Sequence, residues 1–351
     1  MTYVTRRQWP AGEEPEVSGF RPVAVAPGGR LYDERGRRRL LPPVLFALGV
    51  FAHFVRNRRR YDVVDCASYP YLALIALRLA LLGRRQARLH VQWLELLSEQ
   101  YWRAYGGRLG SALGRIVQQL CVRLTPTAFA ISGLVESRLR ASGFRGEVHR
   151  LPGLWVGDPD APPDATEQPA EPLVLFAGRH VPDKGVAVLP DAIREARRTE
   201  PQVRATIVGD GPERPAVLRR IGELGLEDAI DAPGFVERER LDRLMRRATC
   251  MVFPSVREGY GLAVIEAASH GVPVIVCRAP DNAATELVSQ GVNGMVVDSP
   301  SPAALGPAIV QAVRRGPELR SSTAKWFAEN APKLSIRSSI ELIRRVYLRA
   351  D

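Results

Sequence analysis

Strand-like and helix-like hydrophobic patterns alternate along the second half of the chain. Short runs of Val, Ile, Leu and Phe are each followed by a longer segment with apolar residues every three or four positions. Such alternation predicts a parallel sheet covered by helices on both faces. The predicted strands are Leu173–Phe176, Ala205–Val208, a short one near Ile230, Cys250–Phe253 and Val274–Cys277. The predicted helices end near Arg198 and Leu224, and cover Arg238–Arg247, Leu262–His270 and Ala283–Gln290.

The first half repeats this alternation more faintly, so the predicted fold class is α/β with two doubly wound Rossmann-like domains. A proline-rich and acidic stretch, "GDPDAPPDATEQPAEP", predicts a linker at 157–172 between domains at 1–156 and 173–330. A helix at 331–351 is expected to end the chain and to pack back on the first domain. The predicted strands of the first half are Thr2–Thr5, Pro22–Ala26, Asp62–Asp65, Arg88–Val91 and Ala128–Ile131.

Positive charge is concentrated in the first half. Of the formal charge of +11, residues 1–150 carry +13, from 24 arginines and 11 acidic residues, and the rest of the chain carries −2. This asymmetry predicts an anionic partner, which could be membrane phospholipid, nucleic acid or a charged substrate. The chain has 46 arginines and three lysines, so compositional bias also contributes. No nucleic acid is expected, because the arginines are dispersed and lack interleaved aromatic residues.

Two long apolar runs, Leu40–Val55 and Tyr69–Gly83, are shorter than the roughly 18 residues that suggest a membrane span. We interpret them as buried helices, with contact at a membrane interface left open. Arginine clusters at Arg35–Arg39, Arg56–Arg60 and Arg84–Arg88 lie near them, which predicts contact with an anionic leaflet. The four cysteines form no CxxC pair and the opening "MTYVTRRQWP" has no apolar core. A cytoplasmic location is therefore expected, with peripheral contact at the inner face of the cell membrane.

The segment "REGYGLAVIEAASHGVPVIV", residues 257–276, places Glu258 and Glu266 on either side of a glycine turn. If the preceding run is a strand, the N–H groups from Gly259 to Leu262 open the next helix and form an anion site. Two carboxylates would repel a phosphate there, unless they accept hydrogen bonds from ligand hydroxyls while other residues neutralise the phosphates. A sugar nucleotide, with hydroxyls on both sides of a diphosphate, meets that condition.

The neutralising charges are predicted in "LVLFAGRHVPDKG", which contains the strand Leu173–Phe176 and the loop after it. Arg179 and Lys184 follow that strand, and parallel strands end at a common edge of the sheet. In a chain that nearly always uses arginine, Lys184 beside a glycine indicates a need for a compact point charge.

These motifs resemble the nucleotide-binding half of a GT-B glycosyltransferase of the large retaining family four. The segments "FAGRHVPDKG", "IVGDGPER", "APGFVERERL", "REGYGLAVIEAASHGVPVIV" and "GVNGMVV" follow that family's order and spacing across residues 173–298. The first half is similar only weakly, through "RLHVQWLELL" and "AFAISGLVESRL". The resemblance implies a retaining, metal-independent hexosyltransferase of polysaccharide biosynthesis that needs no cofactor. Its donor would be a UDP- or GDP-linked sugar, and its acceptor a glycan, a lipid-linked or a small molecule.

The resemblance also implies a role for each site residue. Arg179 and Lys184 would grip the diphosphate, Glu258 would hold hydroxyls of the transferred sugar, and Glu266 would bind the ribose. His90 would face the donor sugar from the first domain. The other implied donor-binding residues are Gly178, Val236 with its neighbour Phe235, Gly259, Tyr260, Gly261 and Leu262. Ser132 is expected to be structural.

Competing interpretations of these features are weaker. The "DPD" at 158–160 mimics a metal-binding motif, but it lies in the predicted linker, so no metal is expected. In "GDGPER", Arg214 stands where a dinucleotide fingerprint needs its third glycine, which disfavours a dehydrogenase. His90, as a strand-end histidine, could instead be a core residue. The alternative function is a non-catalytic protein of the same fold that binds anions or nucleotide sugars.

The amino-terminal domain is expected to lack its first strand–loop–helix unit. In the family that this chain resembles, the domain opens with a strand and a glycine-rich loop. Here "MTYVTRRQWP" is similar to the second strand and "VSGFRPVAVAP" to the third. Thr2–Thr5 and Asp62–Asp65 should then either pair directly or leave a gap where the central strand belongs.

Overall fold

The computed structural model describes residues 1–10, 12–30, 39, 41–83, 87–161 and 171–349, and the side chains of 104–109 lie outside that description. The chain forms two compact units. The first comprises Met1–Ala130 and Val135–Arg150, and the second comprises Ile131–Leu134 and Leu151–Asp351. The division after Arg150 precedes the predicted boundary at 156, and most of the predicted linker lies outside the described residues.

The described part of the first unit contains six parallel strands in two sheets. One sheet pairs β1 (Thr2–Arg6) with β2 (Arg21–Ala26), and the other runs in the order β3 (Val63–Ala67), β4 (Arg88–Trp93), β5 (Thr127–Ala130) and β6 (Glu147–Arg150). The helices are α1 (Leu41–Asn57), α2 (Tyr71–Ala80), α3 (Glu99–Leu124) and α4 (Gly133–Ala141). The five predicted strands are confirmed. Strand β6 was missed because its four residues, "EVHR", are mostly polar.

Strands β1 and β3 were expected either to pair directly or to leave a gap between them, and they leave a gap in the pairing. Among the described residues, β1 pairs only with β2 and β3 pairs only with β4, and no described strand pairs with both β1 and β3. Direct pairing of these two strands, the other alternative, does not occur.

Helices α1 and α2 form where the two apolar runs predicted helices, but the expectation that α1 is buried is wrong. Only Ala47, Val50 and Phe54 of α1 are buried; Phe46 is half-buried, and the other large apolar side chains of the helix are exposed. Hydrophobic periodicity cannot separate a helix packed on all sides from one with a free apolar face. No helix in the described part of the chain is both long and apolar enough to cross a membrane.

The second unit is a doubly wound parallel sheet. Its strands are β7 (Leu173–Ala177), β8 (Arg204–Val208), β9 (Ile230–Gly234), β10 (Cys250–Phe253), β12 (Val274–Cys277) and β14 (Gly294–Val297), in the order β14-β12-β10-β7-β8-β9. Two further strands, β11 (Arg257–Glu258) and β13 (Asp281–Asn282), pair with each other. The strand order reverses between β7 and β10, which is the place where open α/β sheets bind ligands.

The described part of this unit contains six α-helices: α5 (Leu189–Arg197), α6 (Arg214–Glu223), α7 (Arg238–Arg247), α8 (Leu262–Ser269), α9 (Pro302–Leu334) and α10 (Ile336–Leu348). Successive side chains of β7 point to opposite faces of the sheet and so enter two different hydrophobic clusters. Val174 and Phe176 pack with α5, α6 and α9, whereas Leu175 packs with α7 and α8. The predicted helix at Ala283–Gln290 is instead a 3₁₀ turn, Ala283–Leu287.

The end of the chain is tied to the segment that enters the second unit. Helix α9 bends at Gly316, whose φ and ψ are not helical, and α10 follows it within the same unit. The Trp155 N–H donates to the Leu334 carbonyl at 3.1 Å, and the Ile336 N–H donates to the Trp155 carbonyl at 2.8 Å. The Ser339 hydroxyl donates to the Gly153 carbonyl. The predicted terminal helix at 331–351 thus corresponds to the end of α9 and to α10, and its packing on the first domain stays a prediction.

Candidate active site

The carboxyl ends of neighbouring strands bring the predicted donor-binding residues to one edge of the second unit's sheet. Gly178 and Arg179 follow β7, Phe235 and Val236 follow β9, and Glu258 lies in the loop after β10. Because all six strands are parallel, these loops leave the sheet at the same edge. Phe235 is 76% exposed there, while the next residue, Val236, is buried. Arg179 is exposed and forms no ion pair with any described residue.

The loops after β7 and β10 lie directly against each other. Lys184 ends a 3₁₀ turn, Pro182–Lys184, and Gly185 then adopts a left-handed φ of 64°. A Cβ atom on Gly185 would lie 2.3 Å from the Pro254 carbonyl oxygen, so this close approach requires glycine. The Val256 N–H donates to the Asp183 carbonyl at 3.0 Å.

Two ion pairs join these loops side by side. Lys184 Nζ lies 2.5 Å from Glu258 Oε1, and the two side chains are only 24% and 19% exposed. One residue earlier in each loop the charges are reversed, and Arg257 Nη1 lies 2.9 Å from Asp183 Oδ2. Lys184 and Glu258 were predicted to contact different parts of one ligand. Their direct pairing shows that both side chains reach the same place at the edge of the sheet.

The start of α8 supplies backbone donors beside this pair. Gly261, the residue before the helix, has a φ of 105°, and a Cβ there would lie 2.7 Å from the Ala284 Cβ. No described side chain accepts a hydrogen bond from the N–H groups of Leu262 and Ala263, so these two groups remain available, whereas the Val264 N–H donates to the Gly261 carbonyl at 2.9 Å. Tyr260 is buried, with its hydroxyl 3.5 Å from the Pro152 carbonyl oxygen. Gly259 and Tyr260 therefore shape the turn, and Gly261 and Leu262 present its backbone.

Glu266 lies one turn further along α8, with its side chain 37% exposed. Arg238 Nη1 of α7 lies 4.0 Å from Glu266 Oε1, and Arg238 also pairs with Asp242 at 3.0 Å. Burial raises the pKa of Glu266 above its ordinary value, Arg238 opposes the rise, and Asp242 adds to it. Arg238 was missed as a site residue because its spacing from Glu266 carries no motif.

The raised pKa of Glu266 predicts a pH-dependent gain in stability for Glu266→Gln. The unfolded chain ionises this group first as pH rises past 4.5, so its charge lowers folded stability most above the folded pKa. We expect the variant to unfold about 1–2 °C higher near pH 8 and to match the parent near pH 4. Thermal unfolding at both pH values checks this, with Glu239→Gln, an exposed position of α7, as the control. A difference that is independent of pH would contradict the assignment.

Asn282 was not predicted as a site residue, yet its side chain forms hydrogen bonds that hold the loop after β10 in place. Its buried side-chain amide donates to the carbonyls of Ser255 and Cys277 at 3.0 and 2.8 Å, and its oxygen accepts from the Ala284 N–H at 3.0 Å. An asparagine at the start of a short turn is a recognisable capping signal in the sequence. The capping signal does not predict the two hydrogen bonds to Ser255 and Cys277, which lie further away along the chain.

The Asp183–Arg257 pair is expected to position Lys184 without touching the ligand. We expect Arg257→Asp to lower donor kcat/KM about tenfold, because two carboxylates would then repel each other between the loops. Adding Asp183→Arg should restore most of the loss, since it rebuilds the pair in the opposite sense. Steady-state kinetics of the single and double variants make the measurement. The matched control is the exposed Arg278–Asp298 pair, where the same exchange should change nothing. Failure of the double variant to recover would show that the ion pair is not what positions the loop.

His90 does not lie at the end of its strand, as the sequence had suggested. It is the third of six residues in β4, because the strand continues to Trp93. The imidazole is buried in the first unit, 5.7 Å from the Phe129 ring centroid, and burial, with Arg88 nearby, lowers the pKa of His90. Its assignment to the donor sugar stays a prediction. Ser132, expected to be structural, is likewise buried.

Among the described residues, no group of three or more His, Cys, Asp or Glu side chains is arranged to hold a metal ion. The second unit is a doubly wound α/β domain with cationic side chains and a helix start at its switch point, which is the place where sheets of this type bind ligands.

Comparison with known proteins identifies the family. Residues 159–333 match the sequence profile described as "Glycosyl transferases group 1". This segment, which lies in the second unit and makes up just under half of the chain, belongs to that family.

The chain matches only part of the length of its curated relatives. The chain is 31% identical over 226 residues to an alpha-D-kanosaminyltransferase of Streptomyces kanamyceticus, which covers 60% of this chain and 57% of that protein. It is 30% identical over 184 residues to a D-inositol 3-phosphate glycosyltransferase of Acidothermus cellulolyticus, which covers 50% and 40%. The chain therefore spans about half the length of these relatives.

Solved structures share the fold across both units. A sucrose-phosphate synthase from Thermosynechococcus elongatus superposes with a TM-score of 0.75 at 20% identity, over 99% of this chain and 88% of that one. HepE of Anabaena, in complex with UDP and glucose, gives a TM-score of 0.69 at 20% identity, over 99% of both chains. These likenesses confirm the GT-B α/β fold.

Proposed function

We propose that this protein is a sugar-nucleotide-dependent glycosyltransferase. It transfers a hexosyl group from a UDP- or GDP-linked sugar to a glycan, a lipid-linked or a small-molecule acceptor, with retention and without a metal. The observation that carries the proposal is the meeting of Lys184, Glu258 and the uncapped start of α8 at the switch point of the sheet.

Positive charge at this place serves the step in which the nucleoside diphosphate leaves. Negative charge develops on the phosphate oxygen as the bond to the sugar breaks, and preorganised donors lower the barrier. Lys184, Arg179 and the first N–H groups of α8 supply such donors without a metal ion. Because an ammonium group has three N–H donors, Lys184 can keep its contact with Glu258 and still donate to a phosphate.

The carboxylates can then hold the two ends of the donor. Glu258, fixed by Lys184, accepts hydrogen bonds from hydroxyls of the sugar, and Glu266 accepts from the ribose. The exposed ring of Phe235 offers a face for the base. The neighbour HepE was solved with UDP and glucose, which supports a nucleotide sugar as the donor.

Thermal unfolding with a panel of UDP- and GDP-linked sugars tests donor binding. A ligand that binds the native state stabilises it by RT ln(1 + [L]/Kd), so the true donor should give the largest shift. Release of nucleotide in the presence of candidate acceptors then tests turnover. Binding without turnover would support the non-catalytic alternative, and no shift with any nucleotide sugar would contradict the proposal.

We also propose an anionic membrane surface as a partner, consistent with a cytoplasmic enzyme that meets lipid-linked acceptors. The basic first half of the chain supports this partner.

A further inference from the structure

Helix α1 exposes a continuous apolar face. Six of its large apolar side chains are between 36% and 60% exposed: Leu41, Val44, Leu45, Leu48, Phe51 and Val55. Their spacing, with steps of one, three or four residues along the helix, places them on one side. The buried residues Ala47, Val50 and Phe54 lie on the other side, where α1 packs against α2 and β2. A substantial part of each of these six side chains therefore faces solvent.

Helix α2, which packs against α1, adds to the exposed apolar surface. Leu72 and Leu79 of α2, and Leu82 just after it, are also exposed. A soluble protein rarely leaves so many large apolar side chains exposed on adjacent elements unless they contact a partner. With only 17 residues, α1 can reach the boundary of a bilayer but cannot span it.

Charge indicates which partner fits. Neither α1 nor α2 contains an acidic residue; Arg56 lies in the last turn of α1, and Arg58, Arg59 and Arg60 follow the helix directly. No described acidic side chain forms an ion pair with these four arginines. A second copy of this chain would bring no acidic side chain from α1 or α2 to meet them. An anionic bilayer supplies both phosphates for the arginines and an apolar layer for the leucines.

We infer that the exposed face of α1, extended by α2 and by Arg56–Arg60, docks on the surface of an anionic lipid bilayer. The helix lies parallel to the membrane, with Leu48 and Phe51 in the acyl boundary and the arginines at the level of the phosphates. This inference deepens the proposed membrane partner, but it needs neither a donor nor turnover.

Sedimentation with vesicles tests the surface. The protein should bind vesicles that contain phosphatidylglycerol, bind neutral phosphatidylcholine vesicles far less, and be released by salt. The double variant Leu48→Ser/Phe51→Ser should lose at least about tenfold in partitioning. The double variant Arg58→Gln/Arg59→Gln should lose about fivefold for each arginine. All four positions are exposed, so the thermal unfolding temperature should not change.

Helix α10 offers matched controls. Ile340→Ser/Leu348→Ser removes two exposed apolar side chains, and Arg344→Gln/Arg345→Gln removes two adjacent exposed arginines. Both controls should bind vesicles like the parent. Equal losses in the α10 variants, or equal binding to neutral and anionic vesicles, would overturn the inference.

Light scattering addresses self-association through the same face. A concentration-dependent dimer that dissociates in Leu48→Ser/Phe51→Ser would identify a second copy as the occupant and overturn the lipid inference. The thermal shift with nucleotide sugars, measured on the same variants, keeps the two proposals separate. Vesicle binding without any donor response would remove only the proposed function. A donor response with vesicle binding unaffected by the α1 variants would remove only this inference.

Discussion

Lys184→Ala is expected to lower kcat for sugar transfer by about 100- to 1,000-fold, the range found when one donor to a developing anion is removed. In the proposed role the lysine meets charge that grows as the diphosphate leaves, so its loss should raise the barrier more than it weakens ground-state binding. Glu266→Ala would remove the proposed ribose contact, which is made before and during the reaction, so it should act mainly on KM and have a smaller effect. Steady-state kinetics at saturating acceptor separate the two effects.

Lys325→Ala provides the control for Lys184, because Lys325 is an exposed lysine of α9 in the same unit. It should leave both constants unchanged. Near-parental turnover in Lys184→Ala would show that the lysine does not act on the leaving group. A loss in Lys184→Ala that is confined to KM would reduce its role to binding.

Glu258→Ala is expected to lower kcat/KM for the intact donor about 10- to 100-fold, as the loss of hydrogen bonds to a charged partner would. The free nucleoside diphosphate has no transferred sugar for Glu258 to hold, so its affinity should change little. The affinity for the free nucleotide should even rise slightly if Lys184, no longer paired with Glu258, binds the phosphates more readily. Lys184→Ala should instead weaken the binding of both the donor and the free nucleotide.

Calorimetric titration of both variants with donor and with free nucleotide makes this comparison. The exposed glutamate Glu239 of α7, changed to alanine, serves as the control for a lost carboxylate. If Glu258→Ala weakened the binding of donor and of free nucleotide equally, Glu258 would lie at the diphosphate rather than at the sugar.

Much of the second unit could be predicted from the sequence. Arg238–Arg247, Cys250–Phe253 and Val274–Cys277 have the predicted bounds. Strands buried on both faces are continuous apolar runs, and short loops rich in Gly, Pro and charge separate them from helices. The location of Lys184 and Glu258 at one edge followed from the parallel order of the strands alone.

Contacts between loops could not be predicted in this way. The ion pairs of Asp183 and Lys184 with Arg257 and Glu258 join residues 74 positions apart, and no local pattern fixes that pairing. His90 was placed at a strand end because the apolar run of β4 looked shorter than it is. The free face of α1 was missed because an all-apolar helix gives no sign of which side lacks a partner.

The ties between Gly153–Trp155 and the start of α10 make these two segments one cooperative piece of structure. Trp155 contributes both its N–H and its carbonyl to backbone bonds with Leu334 and Ile336, and Ser339 exchanges hydrogen bonds with Gly153. Neither segment can open to solvent without breaking the bonds of the other. A local fluctuation at the start of α10 is therefore shared with the segment that enters the second unit, although 186 positions separate Gly153 from Ser339 along the sequence.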